Sequence, residues 1–120
     1  GGKHELQMNK YAAIADTDGD ENISVTDSAT TLTLPSIFAA ADRQTKGVTG
    51  GRATIRVYKA PILFTRTGTA PTAADLSTGT PLWIGEVLVL TAFKDMDNLN
   101  MVRATGVNGA VYVYYERQVN

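Results

Sequence analysis

The chain has 120 residues, of which 43% are hydrophobic and 19% are charged, so it can form one domain with its own core. It has no cysteine, which excludes disulfides and thiolate metal sites, and a single histidine, His4, which disfavours histidine-centred catalytic triads and metal sites. Eleven basic and twelve acidic residues give a net charge of -1, so we expect no nucleic-acid partner.

The two ends of the chain and its hydropathy bear on membranes and on domain organisation. No apolar stretch approaches the roughly 20 residues that a helix needs to cross a bilayer, and the N-terminus shows no apolar segment of the signal-peptide kind. We therefore expect no membrane partner. Residues 1–10 are polar and predict a flexible or edge-pairing N-terminal arm, and residues 11–120 predict a single β-sandwich domain.

Threonine content and short alternating segments both point to strands. Threonine is β-branched and suits a pleated, half-exposed surface, and apolar residues recur at every second position in several segments. In chain order the pattern predicts strands at residues 11–15, 23–25, 30–34, 52–59, 62–66, 86–91, 99–103 and 110–115. About eight short strands separated by turn residues predict an all-β fold, an antiparallel β-sandwich or jelly roll.

Two of the predicted strands differ in their pattern. Residues 52–59 alternate most cleanly and place Ala53, Ile55 and Val57 on one side. Residues 86–91 are apolar on both faces, which predicts a central position in a sheet.

The segments between the strands carry their own signals. Residues 36–43 look helical for about two turns, with Ser36 as a possible N-cap. Residues 67–81 form a connection longer than usual, which indicates a functional or interfacial role. Residues 94–98 predict a polar turn, and the Asn-Gly pair within residues 106–109 predicts a hairpin turn because it tolerates positive φ.

The acidic segment 16–27 is the one motif that resembles a metal site. Asp16, Asp18, Asp20 and Asp27 have the spacing of an EF-hand-like calcium loop, and the segment looks most like the loop of a dockerin repeat. At its sixth position it has Glu21 where such a loop has a glycine for the sharp turn. At its twelfth position it has the shorter Asp27 where such a loop has a glutamate. The alternative is a solvated turn in which Asp and Asn serve the turn geometry. We predict the turn, and therefore no metal site and no cofactor.

Residues with catalytic potential are few. Asp95 and Asp97 could share a strand face as a carboxylate pair, but their polar neighbours favour a turn. The serines lie in no nucleophile elbow, and no glycine-rich phosphate loop precedes a helix. We therefore predict that the chain is not an enzyme and has no catalytic residues.

Aromatic side chains are the remaining candidates for binding. Tyr112, Tyr114 and Tyr115, with Arg117, could stack on bases or sugars. A C-terminal strand with several tyrosines is, however, more typical of a sheet edge or a subunit contact. Trp83, beside the long loop, is either a core side chain or an interface anchor.

The second half of the chain contains five segments in a characteristic order. They are residues 56–66, the sequence Thr-Gly-Thr-Ala-Pro-Thr-Ala at 67–73, and residues 85–90, 99–104 and 111–115. With a similar opening at residues 23–34, this order resembles small β-rich virion proteins that are encoded next to the capsid genes of tailed phages.

The resemblance implies a capsid decoration, or cement, protein on the capsid exterior of the virion. Such a protein is a jelly roll without catalytic residues that binds the major capsid protein, and the resemblance further implies a homo-oligomer, a dimer or a trimer. Residues 1–10 and the loop 67–81 are then candidate contacts. The alternatives are a calcium-dependent or carbohydrate-binding adhesion module, or a head-fibre or tail component.

Overall fold

Two antiparallel sheets, one of five strands and one of three, form the architecture of the chain. The structure, a computed structural model, describes residues 10–14 and 19–119. The strands are β1 (Lys10–Ala13), β2 (Asp20–Val25), β3 (Gly51–Val57), β4 (Ile62–Thr65), β5 (Thr80–Leu82), β6 (Val87–Leu90), β7 (Asn100–Arg103) and β8 (Gly109–Val119). Two short helices, α1 (Ala40–Thr45) and α2 (Phe93–Asn98), and a 3-10 helix at Ser36–Phe38 lie between them.

The predicted all-β, antiparallel sandwich is confirmed, whereas its jelly-roll topology stays a prediction. The arm predicted at residues 1–10 lies outside the described residues except for Lys10, which begins β1 and pairs with Val119 of β8. No helix in the described part of the chain is long and apolar enough to cross a membrane.

Strand β8 is the centre of the five-stranded sheet. It pairs with β2 along its first half and β1 along its second half, and β3 runs along its other side. Beyond β3, the four-residue β6 forms the edge. For the tyrosine-bearing strand we predicted a sheet edge or a subunit contact, and the sheet edge is therefore wrong. The central position predicted for residues 86–91 is wrong as well. The apolar pattern of β6 predicted burial on both faces, but Val87 and Val89 are exposed on an uncovered sheet face.

The three-stranded sheet, in the order β5-β4-β7, is covered on both faces. Its outer residues Leu63 and Val102 are buried and pack with Ala73 of the long connection between β4 and β5. The backbone N–H of Ala74 also donates to the carbonyl oxygen of Arg103, at 3.0 Å. The long connection therefore closes this sheet from outside.

The main core fills the space between the two sheets. Alternate residues of β3 and β8 supply its larger-sheet side, and Ile62, Phe64 and Met101 supply the other. Phe38 packs edge-on against Phe93 and Tyr115, with ring centroids 5.2 and 6.1 Å apart. The inward positions predicted for residues 52–59 are confirmed, since Ala53, Ile55 and Val57 have no exposed surface.

In the segment before β3, the predicted strand is wrong, whereas the predicted helical turns are present but divided. Residues 30–34 form no strand but only an isolated bridge between Thr30 and Met101, although Leu32 is buried in the core. Residues 36–43 are divided between the 3-10 helix and α1, and no side chain caps either helix. The division follows from Ala39, whose extended backbone (ψ 142°) interrupts the helical path.

Two predicted turns also differ from the structure. Residues 94–98 belong to helix α2, because Met96 is buried in the core and anchors one helical turn there. Residues 106–109 do not form a hairpin, because β7 and β8 belong to different sheets. Neither residue of the Asn-Gly pair has a positive φ. The connection therefore crosses from one sheet to the other instead of reversing within one.

At Gly51, strand β3 lies directly against the ring of Phe38, which packs with Phe93 and Tyr115. A Cβ atom at this position would lie 2.9 Å from Cε2 of Phe38 and closer still to its Cζ. We expect Gly51→Ala to lower the free energy of unfolding by about 1–3 kcal/mol through overpacking, as measured by chemical denaturation. Gly106→Ala is the matched control, since nothing lies within 4 Å of its added Cβ. Equal stability of the two variants would contradict this packing.

Candidate functional site

Exposed apolar side chains gather on the outer face of the five-stranded sheet. Nine large apolar side chains are exposed in the described part of the chain, and five of them belong to this face. These are Tyr58 (46% exposed), Val87 (41%), Val89 (50%), Tyr112 (43%) and Tyr114 (37%). We call this surface, together with Asp20, Asn22, Thr54 and Arg56, the tyrosine face. Large clusters of exposed apolar side chains are typical of binding surfaces.

Strand register aligns the tyrosine face in two rows that cross the sheet. One row runs Asp20, Tyr114, Thr54, Val89 from β2 to β6, and the next runs Asn22, Tyr112, Arg56, Val87. Side chains directly opposite one another on neighbouring strands lie about 5 Å apart. The face is therefore continuous over four strands.

Tyr58 lies across the sheet instead of standing on it. Its hydroxyl donates to Oδ1 of Asn22 at 2.6 Å, although β3 and β2 are separated by β8. Strands two apart in a sheet are roughly 9.5 Å apart, so the ring must lean over β8. Ala110, whose side chain also belongs to the outer face, is only 5% exposed, as expected beneath such a ring. One face of the Tyr58 ring is thereby presented to solvent.

A second hydrogen bond fixes Tyr112. Its hydroxyl donates to Oδ2 of Asp20 at 2.7 Å, along the diagonal between β8 and β2. This hydrogen bond raises the pKa of the Tyr112 hydroxyl, because the bond and the nearby negative charge both favour the protonated phenol. Both tyrosines therefore have their polar ends bound within the sheet and leave their ring surfaces for contact.

A shallow groove of about 560 Å³ runs between these tyrosines. Its lining residues are Asn22, Thr54, Arg56, Tyr58, Tyr112 and Tyr114. Arg56 is exposed, and its guanidinium forms no ion pair or hydrogen bond with any residue that the structure describes. By contrast, Arg52 on the same face pairs with Glu116 at 2.6 Å and lies over the ring of Tyr11. Among the described residues, the groove thus contains a cation without an acidic partner, surrounded by aromatic rings.

The acidic segment does not form the calcium-loop geometry in its described part. Asp20 belongs to strand β2 and directs its carboxylate to Tyr112, and Asp27 follows the far end of that strand. The extended strand from Asp20 to Val25 alone spans roughly 17 Å, too far for one ion to bind the carboxylates of both Asp20 and Asp27. Asp16 and Asp18 lie outside the described residues. Over residues 10–14 and 19–119, no three acidic or histidine side chains are grouped to hold a metal ion.

Glu21, the neighbour of Asp20, points to the opposite side of β2. It accepts hydrogen bonds from the hydroxyl of buried Tyr115 and from the backbone N–H of Thr33, with 3.0 Å between the Thr33 nitrogen and Oε2. Burial and the bond to Glu21 raise the pKa of Tyr115. The solvated turn predicted for the acidic segment is wrong at Asp20 and Glu21, because these residues lie on opposite faces of strand β2.

The structure separates the other candidate residues. Asp97 pairs with Arg43 at 3.0 Å and Asp95 approaches Arg66 at 3.7 Å, so they do not form a carboxylate pair. Trp83 is 48% exposed and is therefore not a core side chain.

The C-terminal tyrosines belong to different faces. Tyr112 and Tyr114 lie on the tyrosine face, whereas Tyr115 and Arg117 alternate to the other side of β8, where Tyr115 is buried. Four further residues of the tyrosine face are not marked as candidates by the sequence: Arg56, Tyr58, Val87 and Val89. The alternation of residues 52–59 was the available signal, but it did not show that β8 is the neighbouring strand.

Comparisons of the chain with models of protein families, with curated proteins and with solved structures found no match. Function is therefore inferred from the tyrosine face and from the segment order.

Tyr115 gives the fold a measurable dependence on alkaline pH. The unfolded chain releases the phenolic proton near pH 10, whereas the raised pKa keeps the native side chain protonated. The unfolded state then binds fewer protons, so the free energy of unfolding should fall as pH rises above about 10, by up to about 1.4 kcal/mol per pH unit for this group. We expect Tyr115→Phe to reduce that slope in denaturant titrations between pH 8 and pH 11. Identical slopes in both proteins would contradict the assignment.

Proposed function

We propose that this chain is a non-enzymatic structural protein of a virion, a decoration or cement protein that binds the major capsid protein on the capsid exterior. The tyrosine face is the observation that carries the contact function: five exposed large apolar side chains on one rigid sheet surface. The virion setting and the capsid partner come from the resemblance of the segment order to small virion proteins of tailed phages.

The physical properties of the tyrosine face suit a protein contact. Association costs the conformational entropy of every side chain that becomes ordered in the interface. On this face, the hydrogen bonds of Tyr58 and Tyr112 already hold their rings, which lowers that cost. Tyrosine and arginine are also the residues that most often dominate binding energy at protein interfaces.

The contact function can be tested on heads built from the major capsid protein of the proposed virion. We expect the purified chain to bind heads assembled without this protein, as measured by co-sedimentation or surface plasmon resonance. Replacing both Tyr112 and Tyr114 with alanine should weaken binding at least about 30-fold, the effect of losing one interface hot spot of about 2 kcal/mol.

Val107→Ala is the matched control, since Val107 is 60% exposed but lies in the connection between β7 and β8 instead of the tyrosine face. Thermal melts establish that the double variant is folded. Failure of the wild-type chain to bind the heads would refute the capsid function. If the folded double variant binds with wild-type affinity, the contact lies outside the tyrosine face.

Carbohydrate binding is the second candidate function, and the groove favours it. Flat aromatic surfaces stack against sugar rings, and the unpaired guanidinium of Arg56 matches a carboxylate. The ligand of such a site would be an acidic oligosaccharide, for example one that contains uronic acids. This function would make the chain an adhesion module and does not require a capsid.

A titration with uronate-containing and neutral oligosaccharides, followed by NMR, separates the two candidates. If the groove is a glycan site, resonances of Tyr58 and Tyr112 shift with the acidic oligosaccharide at millimolar concentration. Arg56→Ala should abolish these shifts, and Arg117→Ala should preserve them because Arg117 is exposed on the other side of β8. An absence of shifts with either type of oligosaccharide would remove this candidate.

A further inference from the structure

The edge strand β6 contains no charged residue or proline that would hinder pairing with another chain. Over residues 10–14 and 19–119, β3 is the only strand that pairs with it, so its other side presents unpaired backbone groups. Its four residues, Val87–Leu90, are all apolar. Natural edge strands are usually protected by short length, charged residues, proline or bulges. Of these, β6 has its short length of four residues but no charge and no proline.

The sandwich is also open beside this edge. Leu88 faces inward from β6 but is only half-buried, and it lines a groove of about 790 Å³ between the two sheets. Phe64 and Thr80 of the smaller sheet lie on the other side of this groove. An additional strand beside β6 would cover Leu88 and extend the barrier between the core and solvent.

A second copy of β6 matches this edge better than a charged partner strand. A two-fold axis pairs a strand antiparallel with itself, and residues directly opposite each other then point to the same face. With the axis at Leu88, Val87 of one copy lies opposite Val89 of the other on the outer face, and the two Leu88 side chains meet on the inner face. The Val87–Val89 and Leu88–Leu88 contacts are apolar against apolar, whereas Leu90 of each copy lies opposite Glu86 of the other, just outside β6.

The flanking charges do not oppose this pairing. The carboxylate of Glu86, just before β6, accepts a hydrogen bond from the backbone N–H of Trp83 at 2.8 Å, so it is held in its own turn. The next charged residue, Lys94, lies in helix α2 beyond the end of the strand. It lines the groove beside Leu88 together with Asp95 and Arg66, which form an ion pair at 3.7 Å.

We propose that β6 pairs antiparallel with β6 of a second copy, so that two five-stranded sheets become one ten-stranded sheet in a two-fold dimer. The proposal does not depend on the capsid function. Because Val87 and Val89 belong to the tyrosine face, dimerisation joins two tyrosine faces into one surface with the β6 strands at its centre. A partner that contacts this surface would meet two copies of every binding residue.

Sedimentation of the full chain between about 1 µM and 1 mM tests the proposal. A four-residue pairing is a small interface, so we expect a reversible dimer with a dissociation constant of about 10–100 µM. Val89→Lys should raise this constant at least about tenfold, since it places two lysines beside the axis. Val89 is 50% exposed, so the monomer tolerates the change. Val107→Lys is the matched control, because Val107 is 60% exposed in the connection between β7 and β8.

A cysteine variant tests the register. The chain has no cysteine, so in Leu88→Cys a disulfide forms only between copies. Opposed residues at a two-fold axis are close enough for this bond, so we expect Leu88→Cys to be trapped as a covalent dimer under mild oxidation. Val107→Cys should remain largely monomeric.

Three results would overturn the proposal. The first is a chain that stays monomeric at 1 mM. The second is a dimer that Val89→Lys leaves intact but that replacement of Tyr112 and Tyr114 disrupts, which would indicate packing of the tyrosine faces. The third is a dimer that survives Val89→Lys but is lost on removal of residues 1–9, which would assign the contact to the N-terminal segment.

Discussion

The alternation of side chains along β8 is the constraint on which both the core and the tyrosine face depend. Val111, Val113 and Tyr115 are buried between the sheets, while Tyr112 and Tyr114 emerge on the opposite face. Strands on both sides hold this register. A slip of one residue would turn the tyrosines into the core and the valines to solvent. The energy that buries the core therefore also positions the tyrosine face, and neither can change without the other.

The outer face of the smaller sheet is covered, whereas that of the larger sheet is exposed and carries the candidate site. The long connection between β4 and β5 packs against the smaller sheet through Ala73 and buries Leu63 and Val102. On the larger sheet, the rings of Tyr58 and Tyr112 take the outermost position, with their hydroxyl groups bonded to side chains of β2. Those bonds satisfy the polar ends of the rings and leave apolar surface toward solvent. A rigid apolar surface of this kind has a physical reason to bind and no need of catalytic chemistry.

The tyrosine face and the β6 edge are parts of one surface, since Val87 and Val89 belong to both. Pairing through β6 would therefore change the valency of the face without changing any of its residues. Two linked faces bind a repetitive partner more tightly than one, because the second contact forms at a high effective concentration. The proposed dimer and the proposed capsid function are compatible for this reason, although each stands on separate observations.

Sequence by itself determined the local structure of much of this chain. Alternation in residues 52–59, with threonine and turn residues, correctly indicated strands and an antiparallel all-β fold, because side-chain periodicity follows directly from strand geometry. Hydrophobic pattern does not say which strands are neighbours, so β6 was expected at the centre and β8 at an edge, and β7 and β8 were expected as a hairpin. The tyrosine face joins Asn22, Arg56 and Tyr112, which are far apart in the chain. Only the tertiary structure brings them together, because pairing between distant strands is decided by the packing of the whole core.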